Sequence, residues 1–165
     1  MNELIKKELE STFENILIVI PEDSRLLATA QKDQVMSILS FLKNKGFNHL
    51  ALVSCVDWIE EKEFELVYIL TSYSEKDGKE HIILKTRIPR KNPEFKTAIP
   101  IFENAEPYER ELHELFGINF EGNERLTPLL LERDYKIPPF RKDFDTREYV
   151  KETFDKIPFI EEEKE

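Results

Sequence analysis

Residues 64–88 read FELVYILTSYSEKDGKEHIILKTRI. The first part alternates through Phe64, Leu66 or Val67, and Tyr68. The second carries Ile82, Ile83, Leu84 and Ile88 and stops at Pro89. Runs rich in β-branched and aromatic residues favour pleated, half-buried strands. Between them lies a polar connection containing Asp77-Gly78, a strong signal for a tight turn between antiparallel strands. The stretch therefore predicts two strands, 64–73 and 81–88, joined as a hairpin. Such a hairpin needs further strands and a packed face to be stable.

The flanks supply both. Upstream, residues 49–56 form a largely apolar run that reads as a third strand, with the polar residues 60–63 as its connection. Residues 33–45 repeat apolar side chains at Val35, Met36, Ile38, Leu39, Phe41 and Leu42, a helix with a wide apolar face. Gly46 follows Lys43 and Lys45 where a glycine ends a helix. Residues 16–20 are a β-branched run halted by Pro21, which reads as a buried strand. Leu4, Ile5, Leu9 and Phe13 fall near helical spacing, so the first dozen residues read as a short amphipathic helix. Residues 95–102 fit a helix turn or a strand equally well. Residues 1–103 thus predict an α+β domain, helices packed on a mainly antiparallel sheet.

Beyond Glu103 the texture changes. Pro107 to Phe116 reads as a helix, with Pro107 in its first turn and Gly117 past its end. Tyr108, Leu112, Leu115 and Phe116 share one face, leaving Glu109, Arg110, Glu111 and Glu114 on the others. Arg110 and Glu114 are four apart and can pair along the helix. From residue 118 no period survives. Leucines and aromatics from Leu126 to Phe144 are interrupted by Pro128, Pro138 and Pro139, which exclude a continuous helix or a central strand. So long an irregular apolar stretch must bury itself on its own domain or on a partner. Residues 104–145 are therefore expected to be a helix plus an extended docking segment that a partner's surface orders. Residues 146–165 are expected to be an acidic tail whose end, 161–165, frays.

The chain has 165 residues, 40% of them hydrophobic, enough for one core. Charged residues make up 35%, and the lysine–glutamate excess fits a thermophile surface. The net charge of −10 gives no general attraction to nucleic acid or anionic lipid. The basic groups Lys85, Arg87, Arg90, Lys91, Arg141 and Lys142 are too sparse for a nucleic-acid groove. A lone Cys55 makes no disulfide, zinc site or iron–sulfur cluster unaided, and its apolar setting reads as a buried small side chain. The first ten residues are charged, so no secretory signal is expected there, and no apolar run is long enough to span a bilayer. A cytoplasmic chain that meets a membrane only through partners is the expectation. No nucleotide loop or nucleophile elbow is present. His113 follows Glu109 by four residues, but two ligands without a third are more simply a polar helix face.

Residues 109–122, ERELHELFGINFEG, resemble the signature of the C subunit of NADH:quinone oxidoreductase, respiratory complex I. The matching subunit of group 4 membrane-bound nickel–iron hydrogenases belongs to the same family. The likeness continues through Leu126, Leu130 and Leu131 to residues 139–144, PFRKDF. Upstream it takes in Gly46-Phe47, Leu50, Asp57, Val67-Tyr68 and Leu70. The sequence departs at Pro107, where tryptophan is common, at Asn123-Glu124 for His-Pro, at Ile137-Pro138 for Gly-His, and at Asp145 for a frequent proline. These departures fit the shorter hydrogenase-type relatives. The resemblance implies a structural subunit without catalytic, cofactor or metal residues. It would lie peripherally on the cytoplasmic face of the membrane and brace a large catalytic and a small iron–sulfur subunit. Iron–sulfur clusters, and in hydrogenases nickel–iron, would sit in those partners. Glu109, Arg110, Glu114, Phe116, Gly117, Phe120, Arg141, Lys142 and Asp143 are the implied interface residues. The alternative is a free-standing acidic binding module or small hydrolase, which should bury residues 118–144 within itself.

Overall fold

The computed structural model describes residues 2–74, 78–132 and 135–153. Helix α1 (Asn2–Thr12) leads to strands β1 (Leu17–Glu22) and β2 (Arg25–Thr29). A short 3-10 turn (Lys32–Gln34) opens helix α2 (Val35–Asn44). Strands β3 (His49–Trp58), β4 (Glu63–Ser74), β5 (Gly78–Pro89) and β6 (Glu94–Lys96) follow. Helix α3 (Ala105–Phe116), strand β7 (Asn119–Glu121) and helix α4 (Thr146–Thr153) complete the order.

The main sheet runs β1-β2-β5-β4-β3. The expected hairpin is there: β4 and β5 pair antiparallel from Glu63↔Pro89 to Ser74↔Gly78. Asp77 of the expected turn, and the acidic end at 161–165, lie outside the described residues. All neighbours are antiparallel except β2 and β5. Phe64, Leu66, Tyr68 and Leu70 of β4 turn into the core, which places Val67 on the opposite face. Ile5 and Leu9 of α1 and Val35, Ile38, Leu39 and Leu42 of α2 cover that inner face. Cys55 is buried, as its apolar setting implied.

Helix α2 ends as its glycine suggests. Gly46 takes φ +99°, and the Phe47 amide reaches back to the Leu42 carbonyl at 3.1 Å. Pro21 does not stop β1, which continues to Glu22 with a register shift after Val19. It lies on an outermost strand, where a missing N–H breaks no ladder. Residues 95–102 resolve into the end of β6 and a turn in which the Ile101 and Phe102 amides share the Ala98 carbonyl. The stretch expected to be only an acidic tail contains α4.

The change of texture at residue 103 is not a boundary of the core. Leu112, Leu115, Phe116, Ile118 and Phe120 belong to the same buried cluster as Phe64 and Tyr68. Helix α3 lies against β3, where Asn104 donates to the Leu50 carbonyl (2.8 Å) and the Tyr108 hydroxyl to the Ala51 carbonyl (2.9 Å). These bonds fall at the β3 irregularity between Leu50 and Leu52 and occupy an otherwise open sheet edge.

Candidate functional site

The carboxyl end of α3 organises everything downstream of it. Gly117 leaves the helix at φ +73°, its amide bonded to the His113 carbonyl at 2.8 Å. A Cβ at that position would stand 3.0 Å from both the Arg141 guanidinium and the Pro138 ring. Glycine is required there for conformation and for space. The His113 ring donates from Nδ1 to the Ile118 carbonyl at 2.9 Å, which fixes the corner.

Residues 126–132 and 135–144 form a strap lying along this corner. It contains no helix or strand among the described residues, so its backbone polar groups need other partners. The chain provides several. Glu114 accepts the amides of Leu129 (3.2 Å), Leu130 (2.9 Å) and Leu131 (2.6 Å). Burial alone pushes the Glu114 carboxyl up, but the three N–H donors and the Arg110 charge outweigh it and hold it below the usual carboxylate range. Arg110 donates to the Thr127 and Pro128 carbonyls, each at 3.2 Å. Its ion pair is with Glu106 at 3.4 Å, while its charge still acts on Glu114, with which the four-residue spacing also allowed a pair. The Glu114 carboxylate is occupied by the strap's amides, and two of the Arg110 nitrogens by strap carbonyls.

Further along, the Phe140 amide bonds the Leu115 carbonyl at 3.0 Å. Arg141 donates from Nε to the Phe116 carbonyl at 2.6 Å, its guanidinium 5.2 Å from the Phe64 ring centre. Asp57, almost fully buried on β3, accepts the Lys142 amide at 2.8 Å. It also accepts both arms of Arg90, at 2.9 and 3.1 Å. Arg90 continues to Asp143, closing an Asp57–Arg90–Asp143 bridge from the sheet to the strap. The Arg90 hydrogen bond, chiefly, holds the Asp143 carboxyl below its ordinary range. The rings of Tyr135, Phe144 and Tyr149 pack in mutual edge and tilted contacts and join the strap to α4.

Glu109 departs from its expected place on a polar face: it is buried with no exposed surface. Its carboxylate accepts from Thr97 Oγ1 (2.7 Å), the Ala98 amide (2.7 Å) and Asn123 Nδ2 (3.0 Å). Burial is the largest influence and raises its pKa, with those three donors opposing. The nine implied interface residues therefore fall into two groups. Glu109, Phe116 and Phe120 are interior, Phe120 being 1% exposed. Arg110, Glu114, Arg141, Lys142 and Asp143 are gathered at the strap and take part in the bonds above, while Gly117 leaves the space that Arg141 and Pro138 occupy. Sequence reasoning misses Asp57 and Arg90 as strap anchors, because Asp57 stands out only within the upstream pattern and Arg90 only as one of several scattered bases.

The strap turns large apolar side chains outward among its polar ones. Leu130 is 61% and Phe140 60% exposed, and Leu129 and Ile137 are exposed beside them. A fastened backbone with exposed leucine and phenylalanine is suited to binding protein. Among the described residues no group of acidic, histidine or cysteine side chains could hold a metal ion, and no helix is long and apolar enough to cross a membrane.

These features define an α+β protein with an irregular strap fastened to its own sheet and signature helix. The chain belongs to the family described as respiratory-chain NADH dehydrogenase, 30 kDa subunit, which matches residues 28–150. It is 38% identical over 123 residues to the C subunit of F420H2 dehydrogenase from Methanosarcina mazei, covering 73% of this chain and 76% of that protein. It is 35% identical over 113 residues to the C subunit of NADH-quinone oxidoreductase from Moorella thermoacetica, covering 68% and 74%. In three dimensions it resembles a chain of the membrane-bound sulfane sulfur reductase, an archaeal respiratory membrane complex. The TM-score is 0.85 and the identity 32%, over 98% of this chain and 95% of that one. It also resembles a trypsin-resistant fragment (1-134) of Nqo5, with a TM-score of 0.63 and 26% identity, over 73% and 96%. The α+β fold read from the sequence is the fold of these relatives.

Proposed function

We propose that this chain is a structural subunit in the peripheral arm of a complex I-related, membrane-bound oxidoreductase, at the cytoplasmic face. It carries no cofactor of its own. It braces the large catalytic subunit and the small iron–sulfur subunit, which hold the iron–sulfur clusters and, in a hydrogenase-type complex, the nickel–iron centre. It meets the membrane only through these partners and does not bind nucleic acid. The observation that carries the reading is the strap. Its backbone is anchored by Glu114, Arg110, Asp57 and Phe116, while Leu130 and Phe140 face outward. Ordering the segment in advance lowers the entropy cost of docking a partner. The likeness to a respiratory-complex chain over 98% of the length, strap included, supports it.

The test is purification of the complex through a tag on this chain, from cells making wild type or a Leu130→Glu, Phe140→Glu double variant. Wild type should retain the large and small subunits and their iron–sulfur absorption, and the tagged chain alone should be colourless. The double variant should stay folded, since Leu130 is 61% and Phe140 60% exposed and only the edge contact of Phe140 with Phe116 is lost, yet retain the partners about tenfold less. Equal retention by the two proteins would remove the strap from the interface and the reading with it.

A further inference from the structure

Glu109 is a buried ionisable group that the strap does not use. It has no exposed surface, and the neighbouring charge that acts on it is another acid, Glu106. A carboxylate offers about four lone-pair sites and no donor. Three of them are taken, since Oε1 accepts the Ala98 amide and Oε2 accepts the Thr97 hydroxyl and Asn123 Nδ2. Among the described residues, one site on Oε1 is left over. The core holds the converse as well. Tyr68, on the inner face of β4, is also without exposed surface, and its hydroxyl has no partner among the described residues. Burial first, and then the Glu109 charge, hold this phenol far above its ordinary pKa, so it keeps its proton and remains a donor.

The two groups belong to one region. The Tyr68 ring lies 6.3 Å, centre to centre, from that of Phe95 on β6. Thr97 and Ala98, just beyond that strand, hold the Glu109 carboxylate. The phenol feels the Glu109 charge, yet the two groups do not bond directly. Buried donors and acceptors are rarely left unmet, and ordered water commonly meets them. We propose that one internal water molecule is bound between the Tyr68 hydroxyl and Oε1 of Glu109, accepting from the phenol and donating to the carboxylate. The chemistry of the two ends selects this ligand. An ammonium ion has no lone pair for the phenol, and an anion without a proton has nothing to give the carboxylate. A small neutral molecule with both is required, and water is the smallest. It fills the fourth site of Glu109 and ties the signature helix α3 to β4. This tie is separate from the strap and does not depend on the reading of the chain as a subunit.

A high-resolution crystal structure of the full chain, with Tyr68→Phe solved beside it, tests the site. The wild-type density should hold one peak within about 3 Å of both Tyr68 Oη and Glu109 Oε1. That peak should be lost or displaced in Tyr68→Phe. The sign of the stability change is an independent reading. Removing a hydroxyl that bonds nothing leaves a protein as stable as before, or more so. Removing one end of a bridge strips the water of its donor, and should lower the folded-to-unfolded ratio in urea about three- to tenfold. A Tyr68→Phe chain at least as stable as wild type would overturn the proposal. So would density with no peak there, or with Tyr68 bonded directly to Glu109. A peak touching Tyr68 and Thr86 Oγ1, a second buried hydroxyl without a partner among the described residues, but not Glu109, would overturn it too.

Discussion

Gly117 shows how one residue can be needed twice over. Its φ of +73° is costly for any residue with a Cβ, and that Cβ would press on Arg141 and Pro138 at 3.0 Å. Gly117→Ala is expected to lower stability by about 2 kcal/mol in urea unfolding, with α3 retained and the Arg141–Phe116 contact loosened. Asp143 gives a different residue-scale expectation. Its folded pKa is depressed, so its contribution is present above its unfolded value near pH 4 and is lost as pH falls through the lower folded value. Asp143→Asn should therefore be less stable than wild type at neutral pH. The two unfolding midpoints should converge below about pH 4, and a gap that persisted in acid would show that the loss is not electrostatic. Gly117 is legible in the sequence because a glycine after an amphipathic helix has one common meaning. Glu109 is not. A carboxylate on a helix reads as solvated unless its donors are known, and Thr97, Ala98 and Asn123 come from other parts of the chain. One departure from the family pattern, Asn123, is itself such a donor.

Among the elements, those with long periodic signals are legible: α1, α2, β3, β4, β5 and α3. Strand β2 is not, because its five residues are too few to show a period and it pairs parallel with the distant β5. Helix α4 is hidden by a charged composition that also describes a solvated tail. The strap is as aperiodic and apolar as its sequence suggests, but the docking segment expected to await a partner is tied to its own domain. Its anchors are side chains meeting backbone, a kind of bond that leaves no pattern in sequence. Glu114 carries three of them. Glu114→Ala would leave three amides without their acceptor, at a cost of about 1–3 kcal/mol for whatever part stays shielded from water. Hydrogen exchange on the isolated chain should then quicken at Leu129, Leu130 and Leu131. It should stay slow at Tyr68 and Leu84 in the sheet and little changed at Lys142, which is held by Asp57. Loss of protection along the whole strap would mean that its anchors act as one unit.

At the scale of the molecule, the decisive fact is that one core serves the sheet and the signature helix together. The change of composition at residue 103 suggests an N-terminal domain able to fold alone. The packing opposes this. Phe64 meets Phe116 edge-on with ring centres 5.8 Å apart, and Phe95 of β6 pairs with Phe120 of β7. The edge carbonyls of Leu50 and Ala51 are satisfied from Asn104 and Tyr108. A chain ending at residue 103 would uncover Phe64 and Phe95, strip β6 of its partner strand and leave the β3 edge open. Exposing a buried phenylalanine costs about 1.5–3 kcal/mol, and two of them already approach the 5–15 kcal/mol that ordinarily holds a whole domain. The full chain should therefore unfold in urea as a single transition reported by Trp58, which sits on β3 beside Asp57. The fragment 1–103 should show a broad, weakly cooperative transition and rapid exchange at Val53 and Phe64. A sharp transition for the fragment, with slow exchange at those residues, would restore an independent N-terminal domain and make the signature helix an addition to a finished fold.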